Sequence, residues 1–205
     1  MNVTLIGAST TFARGFADWA VAAGHDLTVV GWDRASAVAS AREVGAKRSA
    51  GPSDPLGDSV VVLALPYVCL HPVLESYGAE LDGKVLVDLI APFDLDTMEP
   101  IQPEAGSTAQ EIVRARPRAR VVKAFSTRFS PRLAGTRVSR GANRRSTVLL
   151  AGDDDGAKRI AAHLFERGDL RTSDLGPLRR ARELEALGYL DIAVPRPHAG
   201  LDAVE

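Results

Sequence analysis

The chain has 205 residues, enough to bury one sizeable core without disulfide or metal staples. Hydrophobic residues make up 45%, charged residues 25%, and the net charge is -1, so no long-range field draws the chain to nucleic acid or to an anionic membrane. A single cysteine, Cys69, excludes an internal disulfide and suits a reducing compartment.

Strand and helix signals then alternate along the chain. Val3-Thr4-Leu5-Ile6 is a β-rich run closed by Gly7. Asn2 and Thr4 interrupt the apolar stretch at the N-terminus, and the glycine turn follows at once, so it does not read as a secretion signal. Phe12 to Ala23 places Phe16, Trp19, Ala20 and Ala23 at three- and four-residue spacings, which predicts a helix ended by Gly24. Leu27 to Val30 is a second strand closed by Gly31, and Ala35 to Val44 a second helix closed by Gly45. Val60 to Leu65 is apolar throughout, the mark of a parallel strand covered on both faces, and Pro66 stops it. The whole apolar run, Val60 to Leu70, falls far short of the roughly 20 residues that a membrane span needs. A cytoplasmic protein is the expectation. Cys69, near the end of that run, is expected to pack as a small buried side chain.

Lys84 to Asp88 and Arg120 to Phe125 continue the strand series. Pro92 to Gly106, rich in Pro and Asp, reads as a long loop. Gly135 to Ser146 carries Arg137, Arg140, Arg144 and Arg145 without an apolar period: either a solvated loop or an anion-binding lid. A last strand–helix–strand–helix set covers about Thr147 to Leu190, with Asp153-Asp154-Asp155 at a helix start, where the dipole favours acids. Pro195 to Glu205 lacks periodicity. The alternation predicts an α/β fold, a Rossmann-type doubly wound parallel sheet with a small C-terminal α/β portion.

The first strand, turn and helix form the natural phosphate site, where free amides and a helix dipole meet an anion. Gly7 is present there, but Thr10 and Ala13 stand where a glycine fingerprint would continue. The hydroxyls of Ser9, Thr10 and Thr11 are alternative phosphate donors. Past the second strand, Asp33 suits the ribose hydroxyls of NAD and Arg34 the extra phosphate of NADP, so the choice between them stays open. Trp32 either stacks on adenine or covers the sheet edge. His25, His71, His163 and His198 have no metal spacing, and no serine–histidine pairing or catalytic dyad stands out.

Several stretches together resemble one family. They are Leu5-Ile6-Gly7, Phe12 to Ala17, Ala23 to Asp26, Leu63 to Tyr67, Gly83 to Asp88, Gly106 to Glu111, Val121 to Phe125, Gly152 to Asp154, and Asp174 to Leu178. In this order they resemble the deazaflavin (coenzyme F-420)-dependent NADP oxidoreductases. They are also similar to the cytosolic reductase domain of the six-transmembrane ferric reductases, which shares the Phe-Ala-Arg element. The likeness runs from Val3 to about Tyr189.

The resemblance implies a dinucleotide-binding domain over residues 1–145 and a small portion over 146–205 that closes the cleft, or one continuous domain. It implies NADP or NAD as cofactor, a deazaflavin, a flavin or a small-molecule substrate as second partner, and a homodimer. The implied cofactor residues are Gly7, Ser9, Thr10, Thr11, Phe12, Trp32, Arg34, Leu65, Pro66, Tyr67, Ala91, Pro92, Ala124, Phe125 and Ser126. No catalytic acid or base is expected, because hydride transfer between two carbon centres requires positioning and exclusion of water.

The chain departs from the family at the cofactor edge. Thr10 and Ala13 replace two glycines, and Thr10 is expected to crowd the phosphate. Gly31-Trp32-Asp33 stands for Gly-Ser-Arg, Ile90-Ala91-Pro92 for Thr-Asn-Pro, and Ser126 for the asparagine of Lys-Ala-Phe-Asn. Three functions fit this pattern: a nicotinamide-dependent reductase, a non-catalytic nucleotide-sensing or scaffold protein, and a repurposed biosynthetic enzyme that has lost NADP binding.

Overall fold

A computed structural model describes residues 1–193 apart from 9, 53, 127–145 and 169, and the side chains of 191–193 lie outside that description. Eight strands form one sheet. They are β1 (Asn2–Ile6), β2 (Asp26–Val30), β3 (Arg48–Ala50), β4 (Val60–Leu63), β5 (Val85–Asp88), β6 (Arg120–Phe125), β7 (Thr147–Gly152) and β8 (Arg171–Asp174). Their order is β3-β2-β1-β4-β5-β6-β7-β8, the doubly wound order extended by two strands. All neighbours are parallel except β7, which runs antiparallel to β6.

The helices are α1 (Thr11–Ala22), α2 (Arg34–Glu43), α3 (Leu70–Tyr77), α4 (Thr108–Ala115), α5 (Asp155–Glu166) and α6 (Ala181–Ala193). Apolar strands become necessary because helices cover both faces. Successive residues of β4 divide between two cores: Val60 and Val62 join Phe16, Trp19 and Phe165, while Val61 and Leu63 join Leu70, Leu74 and Ile112. The first core lies under α1 and α5, the second under α3, α4 and the start of α6.

The structure also adds what the sequence pattern hid. The run Val60 to Leu70 is a strand, a tight turn and a helix start: β4 ends at Leu63, a 3-10 turn spans Tyr67–Cys69, and α3 begins at Leu70. Pro72 sits in the first turn of α3, where a missing amide costs nothing. Cys69 is half-buried, not buried as expected, because that turn lies at the rim of the sheet. The short polar β3 was not legible as a strand; its pairing with β2 makes it one. The expected arginine-rich loop, apart from Ser146, and the stretch 195–205 lie outside the described residues.

Pro92 to Gly106 forms no helix or strand, as expected, yet it is ordered locally. Asp94 Oδ1 accepts the amides of Asp96 and Thr97 and the Thr97 hydroxyl, and Phe93 bridges Pro100. Asp154 caps α5, as its position in the acidic run predicts, by accepting the Ala157 amide at 2.9 Å. Arg120 of β6 grips the same carboxylate at 2.6 and 3.1 Å.

Gly7 has φ +103°, and a Cβ there would lie 2.6 Å from Leu65 Cβ and 2.7 Å from the Ala64 carbonyl oxygen. Gly7→Ala is therefore expected to cost about 2–4 kcal/mol in urea unfolding, from strain and overpacking together. The hydrogen bonds from Arg120 and then from the Ala157 amide hold the Asp154 carboxyl well below the usual carboxylate range. A carboxyl lowered in the native state stabilises fully above its unfolded pKa of about 4 and loses that contribution as pH falls through the native value. Asp154→Asn should thus be less stable than the wild type at neutral pH, with the difference in urea midpoint closing as the pH falls below about 4.

Candidate functional site

In an open α/β sheet the crevice lies outside the carboxyl ends of the strands, where the order reverses. Here that point is between β1 and β4, and two cavities open there. The larger, of about 360 Å³, is bounded by the start of α1, the ends of β4, β5 and β6, the 92–107 loop and α6. The smaller, of about 220 Å³, lies between the end of β2, the Gly7 turn and α3. The β1–α1 turn borders both: Gly7 and Ala8 face the smaller, and Thr10, Thr11 and Phe12 the larger.

The expected site residues divide accordingly. Thr10, Thr11, Phe12, Leu65, Pro66 and Tyr67 line the larger cavity, as do Ala91, Ala124 and Phe125. Gly7 and Trp32 line the smaller one, with Trp32 48% exposed at its mouth. Pro92, Arg34 and Ser126 line neither, and Ser126 is buried. Ser9 lies outside the described residues.

Two of the expected polar groups have partners within the chain. The Thr10 hydroxyl turns back as the N-cap of α1 and accepts the Ala13 amide at 3.1 Å. A helix needs such a cap, and threonine supplies one that glycine could not. Arg34 is not poised alone for a 2′-phosphate. Its guanidinium is paired with both oxygens of Asp54, at 2.8 and 2.7 Å. Asp33 caps α2 by accepting the Ser36 amide at 2.7 Å, and that bond holds its carboxyl below the usual range.

The cavities fit a dinucleotide in outline. The amide of Thr11, in the first turn of α1, has no partner among the described residues and is available to an anion. In the smaller cavity the Tyr77 hydroxyl is buried without a hydrogen-bond partner among the described residues, and burial pushes its pKa up to about 12. A buried hydroxyl that keeps its proton and lacks a partner is a ready donor to a bound group.

The larger cavity joins the expected Tyr67 to two polar groups that were not expected there, Lys123 and Glu185. Tyr67 donates to Glu111, whose two oxygens lie 3.1 Å from its hydroxyl, and burial with this carboxylate pushes the tyrosine up to about 12. Lys123 and Glu185 line one wall, with Asp88 and Thr108 behind them. Lys123 Nζ lies 3.0 Å from Asp88 Oδ2, 2.8 Å from Thr108 Oγ1 and 2.9 Å from Glu185 Oε1, and it also donates to the Ile90 carbonyl. The sequence did carry a signal: a lysine and an aspartate inside otherwise apolar strands. Such residues are buried only when paired. Nothing in the sequence marked Glu185.

No family model matches the chain, and no curated protein sequence matches it. Among solved structures it is similar to a protein assigned as an F420-dependent NADP-reductase from Arthrobacter sp. FB24, at 26% identity and TM-score 0.72, over 90% of this chain and 89% of that one. A hypothetical protein of Sinorhizobium meliloti is similar at 22% identity and TM-score 0.73, over 87% and 86%. An imine reductase of Streptomyces aurantiacus shares the fold at 19% identity and TM-score 0.67, over 94% of this chain but 62% of its own length. The fold is that of these Rossmann-type reductases, and the resemblance to a deazaflavin-dependent NADP reductase extends from sequence to structure.

The Arg34–Asp54 pair yields a selectivity prediction. If this edge holds a nicotinamide dinucleotide, Asp54→Asn should release Arg34 and strengthen NADPH relative to NADH, and Arg34→Ala should remove that preference. Dissociation constants for both cofactors in the two variants check it.

Proposed function

We propose that this chain is a nicotinamide-dependent oxidoreductase, taking NADPH or NADH and passing hydride to a deazaflavin, a flavin or a small metabolite. The observation that carries this reading is the pair of cavities on either side of the α1 N-terminus, at the point where the sheet order reverses. The likeness to the F420-dependent NADP-reductase supports it.

In this reading the smaller cavity takes the adenosine, against Trp32 and the Tyr77 hydroxyl. The Thr11 amide and the α1 dipole meet the pyrophosphate. Leu65, Pro66 and Tyr67 receive the nicotinamide, which supplies the hydride. Phe125, Leu184 and Met98 make the remaining wall apolar, so that water is kept from the transfer. We also read the protein as a cytoplasmic homodimer, as its sequence resemblance implies; among the described residues no helix is long and apolar enough to cross a membrane. A second reading, a non-catalytic nucleotide sensor or a repurposed enzyme, draws on the capped Thr10 and the engaged Arg34.

Titration with NADPH and NADH, followed by tryptophan emission, separates these readings. Saturable quenching is expected, and it should be lost in Trp32→Phe while Trp19 remains. Absence of binding at millimolar concentration for both cofactors would sink the reductase reading.

A further inference from the structure

The cluster on the wall of the larger cavity is more than dinucleotide binding requires. Lys123 is 2% exposed, Asp88 0% and Glu185 6%. Two carboxylates face one ammonium, so full ionisation would leave an unbalanced negative charge in a buried site, which is expensive. Thr108 cannot neutralise it. Its hydroxyl lies 2.6 Å from Asp88 Oδ2 and 2.7 Å from Glu185 Oε1, but it has one proton and serves one carboxylate at a time.

The extra proton belongs on Glu185. Asp88 is the register neighbour of Lys123 across β5 and β6 and holds the Ile90 amide with its other oxygen. Glu185 comes from α6, at the cavity edge. Burial raises its carboxyl above the ordinary glutamate value, the Asp88 charge adds to that, and Lys123 and the Thr108 hydroxyl work against it. Its Oε1 is occupied by the Thr108 amide at 2.9 Å, by the Thr108 hydroxyl and by Lys123. Its Oε2 takes no hydrogen bond from any described residue, and Glu185 lines the cavity. The other candidate acids are spoken for: Lys123 already has four partners, and the raised Tyr67 hydroxyl keeps its proton toward Glu111.

We propose that Glu185 is the catalytic acid of this site and that the hydride acceptor is a small carbonyl or imine compound whose oxygen or nitrogen docks at Glu185 Oε2. This rests on the reading of the chain as a nicotinamide-dependent reductase. A C=O or C=N carbon needs a proton donor because hydride addition leaves a basic oxygen or nitrogen. The acceptor carbon gains a hydride with its electron pair from the dihydronicotinamide, which is thereby oxidised. The π electrons of the acceptor move to the heteroatom, which takes the proton from Glu185 and becomes an alcohol or amine. Glu185 is left as a carboxylate beside the Lys123 ammonium, and a solvent proton restores the acid.

Two measurements test this. The infrared band of a protonated carboxyl group is followed across neutral pH in the cofactor-free wild type, in Glu185→Gln and in Glu185→Asp. A protonated band that Glu185→Gln removes and Glu185→Asp keeps is expected. A spectrum without such a band, or one that Glu185→Gln leaves unchanged, overturns the proposal without reference to cofactor or substrate. NADPH and NADH are then offered with 1-pyrroline, cyclohexanone and coenzyme F420 as probes. The proposal expects turnover of pyrroline or cyclohexanone, with kcat lower by about 100-fold or more in Glu185→Gln at unchanged dinucleotide affinity. Full activity in Glu185→Gln, or no reduction of either small probe by a protein that binds the dinucleotide, overturns it and leaves the reductase reading standing. Failure to bind either dinucleotide overturns the reductase reading instead.

Discussion

A lysine and an aspartate lie side by side inside a sheet that is covered on both faces, and the site is arranged around them. Asp88 and Lys123 are register partners on β5 and β6, flanked by Val87 and Val122. Both side chains are buried, so each holds the other in place, and loss of one partner would strand a charge at a cost of about 3–5 kcal/mol. The pair also fixes the chain just beyond the strands. Asp88 Oδ1 accepts the Ile90 amide and Lys123 donates to the Ile90 carbonyl, which sets the path of Leu89, Ile90 and Ala91 along the cavity. Thr108 and Glu185 join the same cluster and draw the start of α4 and the middle of α6 against the sheet.

Between β1 and α1 the chain has fewer glycines than the family pattern it resembles. Gly7 remains because the turn passes so close to Leu65 that no Cβ fits. Thr10 is accommodated because its hydroxyl becomes the helix cap, a role for which threonine is well suited. The replaced residue therefore stabilises the helix whose amide and dipole would meet the pyrophosphate. At the ribose edge, Asp33 and Arg34 are both engaged locally, one as a cap and one with Asp54. Under the proposed function, the choice between NADPH and NADH would turn on how readily Asp54 yields Arg34.

The larger cavity combines an apolar wall with a polar one. Leu65, Phe125, Leu184 and Met98 supply the former, Lys123 and Glu185 the latter. Apolar walls strengthen every electrostatic interaction they enclose, so a single carboxyl there has an effect it would not have in water. Exposed apolar residues of the 92–107 loop, Leu95 and Met98, reach the cavity because the Asp94 turn folds that loop over the sheet edge.

Much of the fold was legible in the sequence. The continuous apolar run of Val60 to Leu63 and the alternation of strands with helices required a parallel sheet with two covered faces. Glycines after Ile6 and Val30 marked where two of its strands end, and the acidic run at Asp153 marked where α5 begins. The residues at the ends of β1, β4 and β6 were legible as cavity-lining for the same reason: in this topology strand ends converge on one crevice. What the sequence could not give was contact across elements. Arg34 looked free until Asp54, 20 positions away, closed on it. Thr10 looked obstructive until its rotamer turned back toward Ala13. Glu185, in a helix with no distinctive pattern, became part of the site because α6 packs over β6 and carries it to Lys123, 62 positions earlier in the chain. Periodicity fixes which face of an element is buried, but the partner of a buried charge is decided only when the elements pack.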